Sequence, residues 1–122
     1  MSAYGIENLL GKVVEEIVYT ETEITFHVQG GGTLHMYHDQ DCCETVRVED
    51  VVGDLTDLIG SPILLAEEVV GETPNDYEFG WTPESYTWTF YKLATIKGYV
   101  DIRWLGVSNG YYSESVTCSY SE

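Results

Sequence analysis

The chain is short of cations. Five Lys and Arg stand against twenty-one Asp and Glu in 122 residues, a formal net charge of −16. That imbalance excludes generic DNA or RNA binding, because a phosphate backbone would be repelled. Prolines number three, and no Pro-rich linker, internal repeat or low-complexity tract divides the sequence. At this length a single domain spanning 1–122 is expected. No apolar run approaches the roughly 20 residues that cross a bilayer, so no membrane partner is expected. The first residues, Met1 to Glu7, lack a basic stretch followed by a long apolar core, and no signal peptide is read there. Only three cysteines occur, Cys42, Cys43 and Cys118, with two adjacent. They cannot build a disulfide framework, and reduced thiols in a cytoplasm are the simpler expectation. A glycine-rich phosphate loop, a serine elbow and an HExxH helix are all missing, so the chain reads as non-enzymatic and without a cofactor.

What the sequence does hold is aromatic: ten Tyr, three Trp and three Phe. That content belongs to a folded, strand-rich protein rather than an acidic tail. A short helix is predicted near 6–10 and another near 54–60, each closed by a glycine, with Asp54 as N-cap of the second. Strands are predicted over 13–19, 24–28, 34–37, 46–52, 62–66, 86–96, 99–105 and 111–120 from β-branched content and alternation. The fold class is β-rich α+β, a mostly antiparallel meander closing as a half-barrel or a sandwich. Residues 73–84 read as a long loop whose Tyr77, Phe79 and Trp81 fold back or offer a contact, including one to a second copy.

Hairpin registers place side chains together, since a one-residue slip exchanges the faces of a strand. With the loop centred on Gly30–Gly32, Val28 pairs with Leu34, Phe26 with Met36, and His27 faces His35. A two-residue turn before it sets Ile17 against Phe26 and Glu16 beside His27. Glu16, His27 and His35, with His38 further on, are weak metal candidates; across three strands the outer two lie about 10 Å apart. A Lys97-Gly98 turn sets Lys92 opposite Arg103, with Trp88 and Phe90 on the same face. Cations beside rings suit a small anionic or nucleotide-like ligand, whereas nearby acids such as Asp101 would neutralise them. A Ser108–Gly110 loop pairs Val100 with Cys118 and makes Cys118 a core residue.

The most unusual stretch begins at His38-Asp39-Gln40-Asp41-Cys42-Cys43-Glu44. Between positions 39 and 57 stand seven acids (Asp39, Asp41, Glu44, Glu49, Asp50, Asp54 and Asp57) and one base, Arg47. It lacks a second ligand pair at zinc spacing, the central Gly and closing Glu of a calcium loop, and a group to orient a His38–Cys42 nucleophile pair. A carboxylate-rich surface that attracts a basic partner is the better reading.

On these residues the chain resembles a family of small proteins of unknown function carried mainly by tailed bacteriophages and bacteria. The matching elements are His38–Glu44, Gly53-Asp54-Leu55 with Asp57–Ile63, Trp88–Tyr91, Thr95–Gly98, Asp101–Trp104 and Ser108–Ser113. The resemblance implies a phage accessory protein working in a bacterial cytoplasm. The functional expectation is therefore a protein that binds, and inhibits, a host component in defence or nucleic-acid handling. Sequestration of a small anion through Trp88, Phe90, Lys92 and Arg103 is the alternative, and a metal-dependent enzyme a further one.

Overall fold

Period-two alternation runs through the chain and settles its layers. Ile24, Phe26 and Val28 are buried while Thr25 and His27 are half-exposed, and the same pattern brings Leu34 and Met36 inward from the next strand. The computed structural model describes residues 2–40, 43–71, 84–110 and 113–122. Among these residues nine strands form two antiparallel sheets. In the first, β1 (Ser2–Tyr4), β9 (Thr117–Ser121), β4 (Thr33–Tyr37), β3 (Ile24–Val28) and β2 (Val14–Tyr19) lie in that spatial order. In the second the order is β5 (Thr45–Val52), β8 (Gly98–Ser108), β7 (Ser85–Thr95) and β6 (Leu65–Gly71). Their inner faces share one core, in which Phe26, Leu34 and Met36 of the first sheet join Tyr91, Leu93, Ile102 and Trp104 of the second. The sheets stay open, so the architecture is a sandwich and not a closed barrel.

The expected α+β class is corrected to a β-rich fold without α-helices among the described residues. Ile6–Leu9 and Leu55–Leu58 are single 3₁₀ turns. Each is too short to repay helix nucleation. Flanking residues instead make parallel bridges, Leu10 with Ile63 and Val14 with Ile59. Asp54 does cap the second turn, accepting from the Thr56 amide at 2.9 Å and the Thr56 hydroxyl at 2.7 Å. The stretch expected as a fully covered strand, 62–66, enters β6 only at Leu65, and Leu64 is exposed.

Pairing departs from the expected meander at several junctions: β1 and β2 lie at opposite edges of the first sheet, β5 and β6 at opposite edges of the second, and the chain changes sheet after β4 and after β8. The predicted hairpin between the last two strands does not form: β8 pairs with β5 and β7, whereas β9 crosses to the other sheet and inserts between β1 and β4. Val100 and Cys118 do share the core, but from facing sheets rather than as strand neighbours. Tyr77, Phe79 and Trp81 lie outside the described residues.

Candidate functional site

Three registers decide where the predicted site residues meet. Between β2 and β3 the expected pairs hold: Ile17 opposite Phe26, Tyr19 opposite Ile24, and Glu16 opposite His27, with an irregularity between Val14 and Glu16. Between β3 and β4 the pairing lies two residues from expectation, with Phe26 opposite Leu34 and His27 opposite Thr33. The loop is therefore Gln29–Gly31, closed by the Val28 amide donating to the Gly32 carbonyl at 2.7 Å. His27 and His35 no longer face each other. His27 lies 3.8 Å from Glu16, and His35 lies 3.2 Å from Glu23. Among the described residues no three His, Cys, Asp or Glu side chains gather as a metal-binding group.

Between β7 and β8 the two-residue turn is Ile96-Lys97, again a shift of two. Lys92 consequently faces Asp101, and Arg103 faces Phe90, which removes the expected Lys92–Arg103 opposition. Trp88, Phe90, Lys92 and Arg103 all lie on the outer face of the second sheet, where the Trp88 and Phe90 rings stack at 6.0 Å. Acids alternate with the cations there. Arg47 Nη1 is 2.6 Å from Glu49, and Arg103 Nε is 3.7 Å from Asp101. Trp88 is 1% exposed, so its ring offers no open stacking platform.

The acidic segment is strung along β5 rather than gathered into one patch. Asp39 precedes the strand and Asp54 follows it, and eight residues of strand set its ends about 23 Å apart. Asp39, Asp50 and Asp54 are exposed, Glu49 and Asp57 are half-buried, and Asp41 lies outside the described residues. Glu44, expected on the surface, is buried with no exposed side-chain area.

Glu44 belongs instead to a polar plug at one end of the core. The inward rows Leu34-Met36-His38, Val48-Val46-Glu44 and Tyr120-Cys118-Val116-Glu114 each run out there in a polar residue. His38 Nδ1 donates to the Ser115 carbonyl at 2.7 Å, and its Nε2 lies 2.8 Å from Glu44. Gln40 donates to the Glu44 backbone carbonyl at 2.5 Å. Alongside, the Glu114 carboxylate accepts from Thr87 at 2.7 Å and Ser108 at 2.5 Å. Burial pushes the Glu114 carboxyl up, but hydrogen bonds from Ser108, Thr87 and Ser85 outweigh it and hold the group below its ordinary value. Gly106 makes room for this strand crossing, since a Cβ there would stand 2.7 Å from Glu114 Cβ. The plug ties the 38–44 stretch to the 108–115 stretch, both singled out by sequence. With both ring nitrogens of His38 engaged by partners within the fold, its role is that of a pin between the strand ends. The signal for it was present in the parity: both acids continue inward-facing rows.

Beside β9 the sandwich carries a cleft of about 420 Å³ lined by Tyr4, Gly5, Ile6, Glu7, Glu68, Val116, Thr117 and Cys118. Tyr91 Oη donates to Glu68 at 2.7 Å beside it. Cys118 is a free thiol, and burial together with the nearby Glu68 and Glu7 pushes it up to about 12, although a hydrogen bond with Tyr91 opposes the rise. Thiolate is then scarce at neutral pH. We expect native Cys118 to react with iodoacetamide at pH 8 at least about 100-fold more slowly than in denaturant; equal rates would contradict its burial. Cys43, expected to be reduced, is disulfide-bonded.

No curated protein and no solved structure matches the chain. A family model does, over residues 7–118, which takes in the plug, most of the cleft lining and β2 to β8. The chain therefore belongs to the family described as domain of unknown function DUF7448.

Proposed function

We propose that this chain is a non-enzymatic binding protein that docks by its carboxylates onto a basic protein surface. The observation that carries the reading is the fate of the cations. Lys12 sits over the Tyr120 ring, Arg47 pairs with Glu49, and Arg103 lies by Asp101. Lys97 donates to the Ile59 carbonyl, and Lys92 stands opposite Asp101 in the sheet. Four of the five basic side chains are engaged within the fold and Lys92 stands between Asp101 and Glu67 in the sheet, so the excess of acids, with Asp39, Asp50, Asp54 and Glu67 exposed, dominates the outward field.

The resemblance to phage-carried proteins supplies the setting: a bacterial cytoplasm, with a host factor of defence or nucleic-acid handling as the partner to be inhibited. Surfaces evolved for nucleic acid are basic, and an acidic protein meets them with favourable long-range attraction. Protein immobilised and exposed to bacterial lysate should retain a basic component. The combined variant Asp39→Asn, Asp50→Asn, Asp54→Asn and Glu67→Gln should lose at least about tenfold in retention. Asparagine caps a turn as aspartate does, so the third of these substitutions leaves the 3₁₀ turn closed. Retention unchanged by the four substitutions would contradict the reading.

A further inference from the structure

We propose that the edge of β6 on which no described strand pairs, together with the cleft beside it, receives an extended, basic segment of the protein partner. This rests on the proposed function and assigns it a surface. β6 ends the second sheet and pairs with β7 on one side. Among the described residues no strand pairs with its other side. Glu67 to Gly71 are all exposed, Val69 at 41% and Val70 at 60%. An uncovered edge presents a row of backbone N–H and C=O groups, which is what an added strand binds.

The cleft lies along this edge. Glu68 forms its β6 wall, Gly5 to Glu7 and Val116 to Cys118 form the other, and Tyr91 steadies the Glu68 carboxylate. A cationic side chain of an added strand would enter between Glu7 and Glu68. The side chains next to it in the added strand would point to the other face of the sheet, beside Val69, and its backbone would pair with the edge.

Charge selects the occupant. If two copies paired antiparallel through the whole of β6, Glu68 would face Glu68 of the second copy, and like charges directly opposite destabilise a sheet. Lys or Arg at alternate positions of an incoming strand turns the same geometry attractive. The edge therefore rejects its own copy and accepts a basic strand.

The test titrates isotope-labelled protein with an acetylated peptide of alternating Lys and Val, seven residues long to match β6, at about 50 mM NaCl. Amide shifts are expected at residues 65–71, 4–7 and 116–118. An alternating Glu-Val peptide should cause none, and a central proline in the basic peptide should weaken binding about tenfold or more. Glu67→Gln, at an exposed side chain, should weaken it about threefold without altering the fold, and Glu68→Gln by more. Shifts gathered instead around Asp39 or Asp54 would overturn the edge site while leaving the proposed function standing. Binding indifferent to the proline would overturn strand addition. Absence of any shift with the basic peptide would also overturn the site, and the proposed function would then be decided by the lysate variant alone.

Discussion

Glu44→Leu should lower the unfolding free energy by about 3–5 kcal/mol, the largest loss expected from any single polar residue in the chain. The leucine leaves His38 Nε2 buried against an apolar group, with Nδ1 still fixed to the Ser115 carbonyl. Removing one partner of a buried pair costs far more than the pair contributes, because the survivor keeps its desolvation penalty. The double variant His38→Leu/Glu44→Leu should accordingly be more stable than Glu44→Leu alone, since no buried imidazole is left facing an apolar group, although the Ser115 carbonyl then loses its donor. Urea unfolding at constant m-value measures all three chains. Single substitutions that cost under about 1 kcal/mol would mean that the pair is solvated and the plug is not closed.

Glu114→Gln should cost about 1.5–3 kcal/mol at pH 7, the range for hydrogen bonds to a charged acceptor. Its amide can accept through one oxygen only, so one of the hydroxyls of Thr87 and Ser108 loses its acceptor. The loss should depend on pH in a definite sense. The folded-state carboxyl ionises below its ordinary value of 4.5, so its stabilisation is present above that pH and is lost as pH falls through the lower folded value. The gap between the parent chain and Glu114→Gln should therefore narrow as pH drops from about 5 to 3. Comparing the two chains cancels the other carboxylates. A gap that stays constant over that range would contradict a charged Glu114 in the plug.

Much of the fold was legible because strand periodicity is two. The β3–β4 and β7–β8 registers are each shifted by two residues from expectation, and an even shift leaves every side chain on its predicted face. Phe26 and Leu34 thus keep a common inward face, although their partners changed. The same even shift undid the electrostatic reading, because opposition rather than face decided it: Lys92 exchanged Arg103 for Asp101. The β8–β9 hairpin failed for a different reason. Val100 and Cys118 are both apolar and inward whether they pair within a sheet or face across the core, so alternation could not separate the two. The two predicted helices had caps and stops, but only four residues each in turn geometry, below what helix nucleation needs.

The plug was legible in part. His38 and Glu44 stood in a stretch that drew attention, yet Glu44 was counted with the surface acids. Extending the inward parity of Val48 and Val46 by one step puts it inside, as extending Cys118 and Val116 does for Glu114. A carboxylate on an inward row must find donors, and Gln40, Thr87, Ser108 and Ser85 lie in contact only because distant strands converge. That convergence is tertiary and no local pattern announces it. The acidic segment divides accordingly: Glu44 is buried in the fold, while Asp39, Asp50 and Asp54 remain exposed.

Affinity for the captured basic component, followed against ionic strength, tests the central claim most directly. Exposed carboxylates acting through solvent are screened over about 8–10 Å at physiological salt. The account predicts that affinity falls at least about tenfold between roughly 50 and 300 mM NaCl, with slower association carrying most of the change. An affinity that stays constant across that range would contradict it.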